Sequence, residues 1–260
     1  MHSPPLRGRC PRRALFTWRL DPVAARRVVP TPLRPKILQG AAIGAVDWMR
    51  LERLRPRLIP GPLGLSMEMC THMIPAEWDD NGVRRDVLYV LRRDVQVSGI
   101  GRAAGLLLPG HPHPARINAI DEDIRVQVTA ASNDGVCQLE LGGTMAGEWQ
   151  SSALFNSGQH LMRVLGNQSG GFLVFDENGS GALIELEAHP ELAEPLDVQS
   201  QHSSIFEGGL IPKGAAQPDA AVVLRNLVCL WSPRGKVLKA SQRRGLAAAN
   251  GEGLQEPFPA

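Results

Sequence analysis

The sequence predicts a strand-rich α+β fold, built as one domain around an internal cavity, and three stretches carry that expectation. Val87, Tyr89 and Leu91 alternate with Leu88, Val90 and Arg92, the pattern of a strand with one face on the core. IRVQVTA at 124–130 and VCQLELG at 136–142 flank Asn133-Asp134-Gly135, which has the turn chemistry of a hairpin. GFLVFD at 171–176 and ALIELEA at 182–188 repeat that arrangement around ENGSG.

The elements follow in order. Residues 1–13, rich in Pro and Arg, are expected to form a disordered basic segment. Order begins with the strand ALFTWRL at 14–20. Asp21-Pro22 then supplies an N-cap and first position for a helix through VAARRVV, which Pro30 stops. Gly40 to Trp48 reads as a strand, because Gly40 and Gly44 weaken a helix while Ile43 and Val46 are β-branched. Residues 50–60 fit either one or two helical turns before Pro56 or irregular surface chain. In 63–74 the alternation puts Glu68 on a strand face with Cys70 and His72, away from Met67 and Met69. Asn81-Gly82 fits a type I′ hairpin. Gly99, Gly101 and Gly105 permit tight turns, and Pro109-Gly110 marks another. Asn156 or Ser157 caps a helix to Leu165 that lies over the sheet. A further strand falls near 195–201, and the apolar run at 220–232 fits a central strand or a buried helix equally. The domain is expected to span 14–239, with a flexible tail at 240–260.

Composition narrows the function classes. Apolar residues make up 43% and charged residues 21%, ordinary for a globular protein. The net charge of +2 hides a basic head, since residues 1–60 hold 12 Arg and 1 Lys against 3 acidic residues. Those arginines are scattered between prolines without interleaved aromatic residues, so nucleic-acid binding is not expected. The four cysteines lie far apart with no CxxC pair, which fits a reducing, cytoplasmic setting. No apolar stretch reaches the length of a membrane span, and no secretory signal is evident.

The candidate site gathers around residues 84–118. His111 and His113 alternate with Pro112 and Pro114, so an extended backbone puts both imidazoles on one side. An unperturbed pKa of about 6.5 suits them to proton exchange, and they are the candidate catalytic pair. Arg92, assigned to the face opposite Tyr89, is a candidate substrate anchor, since a buried guanidinium offers a fixed fork to a ligand carboxylate and demands a counter-anion. Arg116 and Glu68 complete the substrate-binding set. The competing reading is an exposed strand end for Arg92-Arg93 and a surface loop for the histidines. His111, His113 and Glu122 have the composition of a two-histidine, one-carboxylate metal site. Histidines between prolines are commonly surface residues, however, and no metal is expected. The glycines at 99, 101 and 105 do not match a dinucleotide fingerprint, so no cofactor is expected either.

Several stretches resemble the bacterial DUF2071 family: LDPVAARRVVPTPLRP followed by Gly40, LPGHPHPA with Arg116, IRVQVTAASNDG, SSALF at 151–155, SSIFEGGLIPKG, and AVVLRN at 221–226. That family is similar in fold to acetoacetate decarboxylase. The resemblance therefore implies a curved β-sheet or barrel around a central cavity, with peripheral helices, and it places the turn before His111 near the working cavity. Decarboxylases of this type form a Schiff base between a cavity lysine and a β-keto acid. Where they carry a Gly-Phe-Pro-Lys-Lys pattern, this chain has Leu108-Pro109-Gly110-His111-Pro112, without lysine. An imidazole cannot form an imine with a ketone, and arginine is too basic to supply a neutral amine. Lys36, Lys213, Lys236 and Lys239 all lie elsewhere. The expectation is an enzyme acting on a small oxygenated or carboxylated metabolite without Schiff-base lysine chemistry. A non-catalytic small-molecule binder and a structural or interaction protein are the alternatives, and the oligomeric state is left open.

Overall fold

A computed structural model of the chain describes residues 5–59, 64–98, 111–166, 171–176, 178–187 and 192–240, with 235–237 described by their backbone alone. Gly99, Gly101, Gly105, the Pro109-Gly110 turn and the tail beyond Ala240 lie outside the described residues.

The chain runs β1 (Leu6–Leu20), α1 (Pro22–Val28), β2 (Arg34–Pro35), β3 (Ile37–Leu38), β4 (Ala41–Pro56), β5 (Leu65–Asp80) and β6 (Val83–Ser98). There follow β7 (Pro112–Asp121), β8 (Arg125–Ser132), β9 (Gln138–Met145), α2 (Gly158–Leu165), β10 (Phe172–Phe175), β11 (Ser180–Glu187), β12 (Glu194–Ser203) and β13 (Ala216–Lys239). Both helix caps form as expected: Asp21 accepts from the Ala24 N–H at 2.8 Å, and Ser157 accepts from that of His160 at 3.1 Å. Asn81 and Gly82 take the positive φ values, 55° and 85°, that a type I′ turn requires.

Three expectations change. β1 begins at Leu6, inside the segment expected to be disordered, and residues 6–13 pair with both β13 and β4. Its buried side there is Leu6, Gly8 and Cys10, an alternation masked by the arginines between them. Residues 50–56 continue β4 rather than forming helical turns or irregular chain. The run at 220–232 is strand: residues 220–224 are buried on both faces, and beyond them burial alternates, with Val228 exposed.

The expected barrel is also corrected. The strands form one 13-stranded sheet in the order β11-β10-β6-β7-β8-β9-β12-β13-β1-β4-β5-β2, with β3 on β4 and added pairings β11–β13 and β6–β5. The sheet branches because its longest strands exchange partners along their length. β13 pairs with β12 through Ala221–Val223 and with β11 from Leu230 onward, while β1 lies along its other edge.

Two apolar clusters hold the faces together. One contains Phe16, Trp18, Trp48, Tyr89 and Val223, with Ala24 and Ala25 of α1 against it. The other contains Leu15, Met49, Met69, Leu88 and Val222, closed over by Leu161 and Leu165 of α2. Strand approach is close where β9 meets β12: a Cβ added to Gly143 falls 2.6 Å from the Asp197 carbonyl oxygen. Gly143→Ala is therefore expected to lower the unfolding free energy by about 1–3 kcal/mol, the range for overpacking. Gly158→Ala, whose added Cβ meets its nearest atom at 3.5 Å, should stay within about 0.5 kcal/mol in the same urea titrations.

Candidate functional site

The site is set by an irregularity in β6. Across β5 the register runs Met73↔Val90 and then His72↔Arg92, so Leu91 has no partner of its own. One extra residue turns the following side chains to the other face of the sheet. Arg92 and Asp94 consequently face the same side as His72, while Arg93 faces Asp47 on the other. Strict alternation from Tyr89 assigned Arg92 to the opposite face, and the bulge overturns that assignment.

Arg92 is held by two carboxylates. Its Nε donates to both Asp94 oxygens at 2.8 and 3.0 Å, and its Nη2 donates to both Asp134 oxygens at 2.8 Å. Asp134, in the β8–β9 turn, also accepts from Ser132 Oγ at 2.6 Å and from the Val136 N–H at 3.1 Å. Burial works to raise its pKa, but these hydrogen bonds from Ser132, Arg92 and Val136 outweigh it and hold the carboxyl below the usual range. His113 Nδ1 lies 3.2 Å from Asp134 Oδ2, so guanidinium and imidazole share one carboxylate. Burial, then the charge of Arg92, lowers the His113 pKa.

Deeper in, His72, Asp94 and Cys137 each bring one ligating atom within 4.8 Å of the others, and all three are fully buried. His72 Nε2 pairs with Ser203 Oγ of β12 at 2.9 Å, and the ring meets Phe206 edge-on, with centroids 5.5 Å apart. Burial, with a smaller push from Arg92, lowers the His72 pKa to about 3, so the imidazole is neutral. Burial and the neighbouring Asp94 raise the Cys137 thiol, and burial raises Asp94 against the opposing pull of Arg92. Among the described residues, this trio is the group with the composition to hold a metal ion.

Glu68 belongs to a separate network. It accepts from Arg12 Nη2 at 2.7 Å, from Trp48 Nε1 at 2.9 Å and from Arg50 Nη1 at 3.2 Å, and the Arg12 guanidinium stacks 3.7 Å above the Trp48 ring. Glu68 shares its strand face with Cys70 and His72 as expected, but four residues along a strand separate Glu68 from His72 by about 13 Å. On the opposite face Arg13 binds Asp47 through Nε at 3.1 Å and Nη2 at 2.8 Å.

The structure thus brings together Arg92 and His113 among the expected site residues. His111 is exposed ahead of β7, and Arg116 is exposed on the face of β7 opposite His113. Clefts lined by described residues, of about 250, 350 and 510 Å³, have none of Arg92, His113 or Glu68 in their walls. Ser203 lines the largest of these, between β8, β9 and β12. Asp94, Asp134, Cys137 and Ser203 were not singled out from sequence. Only Asp134 had a visible signal there, as a turn residue.

The fold is similar to that of several solved structures. The enduracididine biosynthesis enzyme MppR in complex with pyruvate is 14% identical, with 90% of this chain and 91% of that chain covered and a TM-score of 0.58. An acetoacetate decarboxylase-like enzyme from Sphingomonas wittichii RW1 is 12% identical over 92% of this chain and 94% of that one, TM-score 0.59. Acetoacetate decarboxylase from Legionella pneumophila is 11% identical over 92% and 88%, TM-score 0.57. The chain has a strand-rich α+β fold similar to these enzymes, and at such identities the likeness speaks for the fold alone. No protein-family model matches the chain, the DUF2071 model included, and no curated protein matches it in sequence. Among the described residues, no helix is long and apolar enough to cross a membrane.

The buried and exposed partners of Glu68 should separate in stability measurements. Glu68→Ala deprives Arg12, 1% exposed, of its closest anion and is expected to cost about 3 kcal/mol. Arg50→Ala removes a side chain 45% exposed and should cost under about 1 kcal/mol, both read from urea unfolding at pH 7.

Proposed function

We propose that the chain is a small-molecule enzyme that acts on an oxygenated or carboxylated metabolite without Schiff-base lysine chemistry, at the point where His113, Asp134 and Arg92 meet. The observation that carries this reading is the Asp134 carboxylate shared between the two side chains. It orients His113 through Nδ1 and leaves Nε2 to exchange a proton with a ligand. Side-chain exposure falls from 38% at His113 and 40% at Asp134 to 6% at Arg92, so a ligand arriving from solvent meets the imidazole first. The lowered basicity of His113 keeps it neutral at pH 7 and able to accept a proton. An oxyanion of the ligand accepts from Arg92 Nη1, the end of the fork that neither Asp94 nor Asp134 uses.

The three lysines with described side chains support the exclusion of an imine. A Schiff-base lysine needs an amine made less basic by burial or a neighbouring cation. Lys36 instead lies 2.7 Å from the Asp86 carboxylate, and Lys213 and Lys239 are exposed. Kinship with DUF2071 is kept as part of this reading on the strength of the motifs. A cytoplasmic setting is kept too, since all four cysteines are free and buried.

One observation favours a second reading, a binding protein without turnover: Arg92 already carries two carboxylate partners. Mass spectrometry of a metabolite extract before and after incubation with the protein separates the two. Under the enzyme reading one small acid is converted, and His113→Ala lowers the rate at least about 100-fold, as expected for loss of a general base. A bound metabolite recovered unchanged in every extract would instead establish the binder. Borohydride added with a β-keto acid should leave all four lysines unlabelled. A stoichiometric adduct on any of them would sink the exclusion of imine chemistry.

A further inference from the structure

The geometry points to a divalent transition-metal site, with zinc as the best-fitting ion, formed by His72 of β5, Asp94 of β6 and Cys137 ahead of β9. Two strand residues and one turn residue of different chemistry converge there, with one ligating atom from each inside a 4.8 Å limit. In a filled tetrahedral site with metal bonds of about 2.0–2.3 Å, ligating atoms stand roughly 3.3–3.7 Å apart. Closing from a separation at that limit needs a contraction of about 1–1.5 Å.

The second observation is independent of that spacing. His72 is fully buried, its Nε2 is engaged by Ser203, and its Nδ1 has no hydrogen-bond partner. A buried ring nitrogen without a partner is rare in a folded protein. Here the imidazole lies against a carboxylate and a thiol, and a metal ion satisfies its lone pair. The surroundings are already those of ligands: Ser203 Oγ pairs with the ring at Nε2, and Arg92 holds both oxygens of Asp94.

Charge makes the same case. Two carboxylates, Asp94 and Asp134, share the single guanidinium of Arg92. Binding replaces the Cys137 S–H bond by a sulfur–metal bond, and the proton passes to solvent buffer. Two carboxylates and a thiolate then balance Arg92 and a divalent ion. Mixed nitrogen, sulfur and oxygen ligation excludes magnesium and calcium and suits zinc. The cluster carries this assignment independently of the substrate reading above.

The test is cobalt(II) titration of the full chain after chelator treatment. One equivalent is expected to bind with a near-ultraviolet thiolate-to-cobalt band, which zinc then displaces. Cys137→Ser should abolish the band, His72→Gln should weaken binding at least 10-fold, and Cys229→Ser, on the other face of the sheet, should keep the band. Absence of the band from the wild-type chain overturns the site. So does a band that survives in Cys137→Ser or vanishes in Cys229→Ser. The wild-type spectrum decides even if a variant fails to fold, and it is silent on turnover, which the His113→Ala assay reads separately.

Discussion

Leu91 has no partner on β5, and the faces to which Arg92, Arg93 and Asp94 of β6 point depend on that extra residue. Side chains alternate along a strand, so leaving one residue out of the ladder exchanges the faces of everything beyond it relative to strict alternation. Were Leu91 kept in the ladder in strict alternation, Arg93 would point toward His72, and Arg92 and Asp94 would point toward Asp47. The first face would then carry a guanidinium with no carboxylate at β6. The second would crowd Arg92 and Asp94 against the completed Arg13–Asp47 pair. With the bulge, each face receives the charges it can neutralise.

The same logic explains the paired arginines. Arg12-Arg13 and Arg92-Arg93 look like solvated basic doublets, yet all four side chains are buried. Consecutive strand residues point to opposite faces, so each doublet is divided between two interiors and each member meets a different acid. Arg12 binds Glu68 while Arg13 binds Asp47, and Arg92 binds Asp94 while Arg93 interacts with Asp47. Buried ion pairs contribute little net stability, because desolvation offsets most of their attraction. Their consequence here is selective: a slipped register would strand an unpaired charge in an apolar cluster.

Strands with one patterned face, tight turns and helix caps were legible in the sequence because their signals are local. The type I′ turn at Asn81-Gly82 and the caps Asp21 and Ser157 rest on a few neighbouring residues each. The start of β1 was not legible, because arginine at every second or third position reads as solvated chain until the acids that bury it are known. Arg116 and His113 lie three positions apart and were grouped together, whereas the alternation of β7 sends them to opposite faces. His72, Asp94 and Cys137 come from three separate strands or turns, and no spacing rule joins them. Their meeting depends on the bulge and on the order in which the sheet places β5, β6 and the β8–β9 hairpin.

That arrangement gives Arg92 two carboxylate partners, at Nε and Nη2, and neither of them uses Nη1. Its charge is balanced by Asp94 and exceeded once Asp134 is counted, so an anionic metabolite beside it would bring a further negative charge into a poorly solvated cluster. A cation bound beside the cluster would offset that charge. A divalent ion on His72, Asp94 and Cys137 would draw the Asp94 charge toward itself and leave part of the Arg92 charge uncompensated. Metal occupancy and affinity for an oxyanion would then rise together, as linkage requires of two ligands whose charges compensate in one site.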